Sequence, residues 1–292
     1  MKKISLISSC YNEEENLDTL YDRVVKAIEP YSNNYEFEYI LLDNGSSDNT
    51  EGKLRELAQK DKRIKVILNA RNFGHIRSPY YGMVQCSGDA IIYLASDLQD
   101  PPELIGDFIK KWEDGYKIVL GKKTQSEDDD TSLVKNCTGF GLFDRCVIDI
   151  IKQLDDPYPY IRGLICDIGF EKAFVEYKQP SRRRGISKNN FYSLYDNAMI
   201  GIVKHSKVPL RLMTFLGFGL SFLSLGVAVF YFILKLMFWN EFALGLAPII
   251  ISLFFLGSVQ LFCMGVLGEY IGAIYTRVNK KPVVVEKERI NF

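Results

Sequence analysis

Four apolar runs in the first third of the chain each end in a cluster of polar side chains. Ser9, Tyr11, Asn12 and Glu13 close the run KISLISSC, and Asp43, Asn44, Gly45, Ser46 and Asp48 close FEYILLD. Arg71, Asn72, Gly74 and His75 come after RIKVILN, and Asp97, Gln99 and Asp100 after DAIIYLAS. The last cluster is the most pointed. An apolar strand delivers oxygen ligands to its tip, and Pro101 and Pro102 then forbid its continuation. Each cluster alone is weak, because turns favour Asn, Asp, Gly and Ser, and NGSSDNT also reads as a helix cap and turn. Four clusters in register describe a ligand site.

Register requires a common scaffold. Between the runs lie the helical patterns EENLDTLYDRVVKAI, TEGKLRELAQK, a segment near SPYYGMVQC, and PPELIGDFIKKW; a fifth run, YKIVLG, follows. Strict alternation of strand and helix predicts an α/β fold, with parallel strands and helices on both faces. In open sheets of that kind ligands bind outside the carboxyl ends of the strands. No GxGxxG follows the first strand, which disfavours a dinucleotide fold. MKKISLISSC starts like a signal peptide but turns acidic after too short an apolar run, so it reads as the first strand.

Of 292 residues, 36 are Lys or Arg and 36 are Asp or Glu, so no global charge advertises a nucleic-acid partner. Six cysteines without CxxC spacing and only two histidines argue against a zinc site; reduced, mostly buried thiols of a cytosolic domain are expected. The averages conceal a division. Charge is spread through residues 1–211 and then nearly vanishes until Glu269.

No charged residue interrupts Leu212–Leu234 or Phe242–Gly268, and each run is long enough to cross a hydrocarbon core about 30 Å thick as a helix. Helices buried in soluble proteins seldom stay uncharged for so long. Lys204, Lys207 and Arg211 precede the first run, while Arg277, Lys280 and Lys281 follow the second. The positive-inside rule therefore places both termini in the cytosol and the connector KLMFWNE outside. Just before the first run, Phe191, Leu194, Tyr195, Ala198, Met199 and Ile202 recur at helical spacing. That predicts an amphipathic helix within 188–211. An ordinary surface helix has the same spacing; the neighbouring span favours the lipid interface. The expected organisation is an α/β domain over 1–187, a juxtamembrane segment over 188–211, two spans within 212–268 and a cytosolic tail over 269–292.

SSCYNEEENL, LLDNGSSDNT, NARNFGH and ASDLQDPPELI resemble, in order, the motifs of family 2 glycosyltransferases with the GT-A fold, a Rossmann-like, mostly parallel sheet. RRRGISKNNFY, the two apolar runs and GEYIGAIYTRVNKKP narrow the resemblance to polyprenyl-phosphate glycosyltransferases, the group of bactoprenol glucosyltransferases and dolichol-phosphate mannose synthases. It covers nearly the whole chain. The resemblance implies inverting transfer of a sugar from a nucleotide diphosphate donor, UDP-linked, to polyprenyl (undecaprenyl) phosphate. It places this at the cytosolic face of a bacterial inner membrane, for cell-surface glycan modification, in a homotetramer.

On the same resemblance Ser9, Tyr11, Glu13, Asp43, Asn44, Arg71 and Lys123 bind the nucleotide sugar, with Asp43 facing the base. Asp97 and Gln99 hold a divalent cation, Mg2+ or Mn2+, on the donor diphosphate. Arg183, Ser187 and Lys188 meet the acceptor phosphate, so Asp97, Gln99, Arg183 and Lys188 carry the chemistry. RRRGISK also suits a basic patch against anionic headgroups. The acidic stretch SEDDD at 126–130 reads as a solvated loop or part of a lid.

Two carboxylates of the family pattern are absent: Ala95 stands where DADLQ has its first aspartate, and Gly139 where a further aspartate, proposed as a base, aligns. The chemistry tolerates both losses. A phosphate monoester, with a second pKa of about 6, is mostly ionised at neutral pH and needs no base. Two rival readings remain. A polysaccharide synthase would need more spans and a QxxRW-type motif, which is absent. A catalytically impaired scaffold would explain Ala95 and Gly139 but not the retained Tyr11, Asp43, Asp97 and Gln99.

Overall fold

The computed structural model describes residues 1–124, 137–154, 156, 159–179, 208–237, 246–279 and 282–292. The chain divides into two units, Met1–Asn190 with Lys280–Phe292, and Phe191–Asn279.

In the first unit the apolar runs become strands buried on both faces, which is why they are nearly continuous in apolar residues. β1 (Lys2–Cys10), β2 (Tyr35–Asp43), β3 (Ile64–Asn69) and β4 (Ala90–Tyr93) are parallel neighbours in the order β4-β1-β2-β3. Alternate side chains pack on opposite helical layers. Ile4, Leu6, Leu41, Val66 and Ile92 meet α1 (Leu17–Ile28), α2 (Thr50–Lys60) and α4 (Ile105–Glu113). Ile7, Ile40, Leu42, Ile67 and Ile91 meet α3 (Gly74–Gln85), α5 (Arg145–Gln153) and α6 (Ile161–Asp167). α1 shows why these segments coil: Leu17, Leu20, Tyr21, Val24 and Ile28 form one buried stripe. Strand register pairs Cys10 with Asp43 and Asp43 with Leu68, and the four polar clusters stand on one edge of the sheet.

Beyond β4 the expectation of strict parallel alternation fails. β5 (Ile118–Lys123) does not adjoin β4; β6 (Cys137–Asp144) lies between them, antiparallel to both, and β7 (Lys172–Tyr177) pairs parallel to β5 at the far edge. The β5–β6 ladder is irregular. Gly121 alone faces residues 138–140, and Gly139 within that bulge has φ +94°, a region that L side chains rarely adopt. The missing aspartate is thus replaced by a glycine in a conformation that favours glycine.

The segment read as the tail supplies an eighth strand, β8 (Glu286–Ile290), antiparallel to β3. The sheet order is β7-β5-β6-β4-β1-β2-β3-β8. Arg55 grips Glu288 with two nitrogens at 3.0 and 2.5 Å, Lys287 meets Glu51 at 3.0 Å, and Tyr81 donates to Glu286 at 2.9 Å. Asn291 caps the strand by donating to Ala58 O and Ile64 O at 2.7 and 2.9 Å.

At the amino ends of the strands Glu38 is 3 % exposed and lies between two lysines, Lys65 at 2.9 Å and Lys3 at 3.2 Å. Burial alone would raise its pKa, but donors on Ser5, Ser87 and Lys65 bring it down to about 2. A depressed carboxylate contributes stability that is complete above its unfolded value of 4.5 and is lost as pH falls toward 2. Glu38→Gln is expected to cost about 3 kcal/mol at neutral pH, since it removes the buried charge that pairs with Lys65 and leaves Lys3 only the exposed Glu36 at 3.7 Å. Denaturant titrations at pH 7 and pH 3 check this: the gap between wild type and variant should narrow at the lower pH.

The second unit contributes α7 (Val208–Met237) and α8 (Leu246–Val278). α7 contains the charge-free run 212–234, and α8 most of the second run. Among the described side chains many large apolar ones face outward: Phe215 and Phe222 are each 73 % exposed and Leu261 71 %. Among the described residues, Phe255–Gly272 has the length and composition to cross a membrane, with mean hydropathy 1.3 and none of it buried. The amphipathic segment predicted within 188–211 lies outside the described residues up to 207, and Val208–Arg211 form the first turn of α7.

Candidate active site

The loops after β1 and β2 are latched to each other. Asn12, in a left-handed conformation (φ 55°), accepts from Ser47 N at 2.8 Å, and Ser46 Oγ accepts from Asn12 N at 2.9 Å. Thr50 Oγ1 accepts from Glu13 N at 2.9 Å, and Glu14 accepts from Asn49 N at 2.8 Å. NGSSDNT is therefore neither a simple cap nor a free loop. Gly45 (φ +73°) sits so close to the next loop that a Cβ there would lie 2.6 Å from the carbonyl carbon of Arg71. That fixes the backbone of Arg71 against the Asp43 loop.

The nucleotide-site candidates separate by direction. Tyr11, 36 % exposed, lies beside the latched loops. Arg71 is exposed and lies 4.3 Å from the Phe73 ring. Asp43 is 3 % exposed, and its carboxylate accepts from Gly45 N and Ser46 N at 3.2 Å and from Ser46 Oγ at 2.5 Å. Burial lifts the Asp43 pKa and those donors only partly restore it. Glu13 holds Asn16 Nδ2 at 2.6 Å.

Asn44 turns inward. It accepts from Asn69 Nδ2 and Phe73 N at 3.1 and 3.0 Å and donates to Asn72 Oδ1 and Gly74 O at 3.1 and 3.3 Å. Asn69 also donates to Ser78 Oγ, which lies 3.3 Å from Ser9 Oγ, while Asn69 Oδ1 is buried without a hydrogen-bond partner. Asn69 and Ser78 escaped the sequence reading. The first had a signal, a polar residue ending an apolar strand; the second had none.

Residues 95–100 alternate. Ala95, Asp97 and Gln99 are partly exposed; Ser96, Leu98 and Asp100 are buried. Ser96 Oγ donates to Ser9 O at 3.0 Å, and Leu98 sits in the core with φ 62°, an unusual conformation for a bulky residue. Asp100, 3 % exposed, accepts from Ala95 N at 3.0 Å and from Tyr177 Oη at 3.2 Å. Burial pushes Asp100 up to about 6, Asp97 adds to the rise, and Lys123 opposes it. Lys123 therefore shares a neighbourhood with Asp97 and Asp100.

Asp97 and Gln99 are oxygen donors presented on one side of the loop, with Gln99 N donating to Asp97 Oδ1 at 3.2 Å. Among the described residues no group of three or more His, Cys, Asp or Glu gathers to hold a metal. One carboxylate and one amide fit a cation whose remaining positions go to substrate phosphates and water, the habit of Mg2+. Arg183, Ser187 and Lys188 lie outside the described residues, as does SEDDD.

The closed loops on one edge of a mostly parallel sheet have counterparts. Glucosyl-3-phosphoglycerate synthase from Mycobacterium tuberculosis, solved with Mn2+, UDP and phosphoglyceric acid, matches 69 % of this chain and 76 % of its own, with a TM-score of 0.52 at 18 % identity. The fold is thus the GT-A fold of glycosyltransferases. The glycosyl transferase family 2 model matches residues 5–160. The SfII prophage-derived bactoprenol glucosyl transferase of Shigella flexneri is 33 % identical over 307 residues, covering 98 % of both chains. A prophage bactoprenol glucosyl transferase homolog of Escherichia coli is 31 % identical over 304 residues, again covering 98 % of both. The chain belongs to glycosyl transferase family 2.

Proposed function

We propose that the protein transfers a sugar, with inversion, from a UDP-sugar to the phosphate of a polyprenyl phosphate at a membrane surface. The observation that carries this reading is the extent of the similarity. It spans 98 % of both this chain and the bactoprenol glucosyl transferase, apolar helices included. The acceptor phosphate oxygen attacks the anomeric carbon, forming one C–O bond as the bond to the nucleoside diphosphate breaks. The nucleophile is already an anion, so no side chain need take its proton, consistent with glycine at position 139. A divalent cation, Mg2+ or Mn2+, would stabilise the departing diphosphate, with Asp97 and Gln99 holding it. Tyr11, Asp43 and Arg71 serve the nucleotide, Lys123 the phosphates, and Arg183, Ser187 and Lys188 the acceptor.

Connectivity supports a two-span topology. The chain leaves the sheet after β7 and returns to it as β8, so any helices crossing a membrane between them must do so an even number of times. With the basic flanks, this supports a catalytic domain and both termini on the cytosolic side of a bacterial membrane. The outward apolar faces of α7 and α8 suit lipid. Association into a tetramer would add anchorage.

The test is direct. The purified full-length protein with Mg2+ should convert UDP-glucose and undecaprenyl phosphate into UDP and a lipid-linked sugar, separable by thin-layer chromatography. A panel of nucleotide sugars identifies the donor. Hydrolysis of donors without lipid product, or no turnover of any donor, would remove the acceptor assignment.

A further inference from the structure

We infer that Asp100 and Tyr177 are positioning residues that set the aim of Asp97 and Gln99. This rests on the metal-site reading above and concerns how that site is built. β4 ends at Tyr93, so the backbone of 95–100 has no ladder to hold it. Its order comes from three inward-facing anchors, Ser96 on Ser9 O, Leu98 in the core, and Asp100. Asp100 is the anchor that closes the loop. Its Oδ2 accepts from the amide of Ala95 five residues earlier, joining the loop's first residue to its last. With both ends pinned and Leu98 turned into the left-handed region, the intervening Asp97 and Gln99 are left partly exposed beyond the carboxyl end of β4, the edge of the sheet that also carries Ser9, Asp43 and Arg71.

Tyr177 ties the same carboxylate to β7, on the far side of the sheet order from β4. Its backbone carbonyl also accepts from Thr124 N at 3.0 Å, next to Lys123. One residue thus links the cation loop, the end of β5 and the end of β7; six residues along the chain from it comes Arg183. Its ring lies 5.7 Å from Phe140 in an edge-on contact, and Tyr177→Phe keeps that packing while removing the hydroxyl.

Charge and geometry are separable here, because an asparagine at 100 can accept from Ala95 N through its oxygen and donate to Tyr177 Oη through its nitrogen. Mn2+ binding to the detergent-solubilised full-length protein, followed by the EPR signal of free Mn2+ with and without UDP, reads the site without turnover. Asp100→Ala is expected to weaken UDP-dependent Mn2+ binding by about 10- to 100-fold and Tyr177→Phe by about tenfold, the range for residues that orient metal ligands. Asp100→Asn should stay within about threefold of wild type, and UDP binding without metal should be unchanged in all three. If Asp100→Asn loses as much as Asp100→Ala, the charge acts directly and positioning is overturned. Undiminished Mn2+ binding in Tyr177→Phe, or an equal loss of metal-free UDP binding, overturns it too. Asp97→Asn in the same assay separates the two readings: if it alone abolishes Mn2+ binding, the metal site stands and the positioning role falls. If wild type and Asp97→Asn bind Mn2+ alike, the site itself is elsewhere and both fall.

Discussion

Asp97→Asn is expected to cut sugar transfer at least about a hundredfold, the scale of losing an electrostatic element that acts on a leaving group. The substitution is clean. Asp97 is partly exposed, and its Oδ1 accepts the Gln99 amide at 3.2 Å, a bond that an asparagine oxygen also makes. The anchors of the loop, Ser96, Leu98 and Asp100, are untouched. What disappears is one negative charge, and with it, on the proposed reading, the grip on a divalent cation. Initial rates across a Mg2+ titration at saturating donor measure the effect, and thermal melting confirms that the fold persists. High Mg2+ should restore part of the rate if the loss is one of metal affinity. Full activity at ordinary Mg2+ would falsify the role of Asp97 as the cation's carboxylate.

How much of the fold and site is legible in the sequence follows from physical signals that differ along the chain. β1 to β4, α1, α2 and α4 are written in apolar runs and helical stripes, and parallel register then puts the four clusters on one edge. β8 cannot be read that way. Its five residues, Glu286, Lys287, Glu288, Arg289 and Ile290, include four charges, and only the first and last are partly buried. A charged edge strand shows no period-two signal, because a backbone ladder holds it and the apolar burial that anchors it lies mostly at its two ends, Val283 and Val284 before it and Ile290 at its last position. β6 is hidden by its glycines and bulge. Asp100 is visible as a residue type, but its direction is not. In the loop that follows a strand, which side chains turn inward depends on the reversal at Leu98, and on Tyr177, a partner 77 residues away.

Ending the chain after Pro282 is expected to lower the melting temperature of the detergent-solubilised protein by roughly 10 °C and to promote aggregation. The exposed ion pairs to Glu51 and Arg55 explain little of this, since solvent screens such pairs. Apolar burial matters more: Val284 is 7 % exposed, and Val283 and Ile290 pack partly buried against the two cores. Lost ladder hydrogen bonds add to this, for a total of about 4 kcal/mol. The damage should also be directional. β3 becomes a bare edge, and Ala70 N loses Val285 O, its partner at 2.9 Å, immediately before Arg71. UDP affinity should therefore fall with stability, whereas the hydrogen-exchange protection of β5 and β7, at the other side of the sheet, should change least. Restoring the ten residues in trans as a peptide should recover part of the protection at β3. An unchanged melting transition in the truncated protein would mean that β8 is not an integral strand, and that the two ends of the catalytic unit are joined only by covalent connection through α7 and α8.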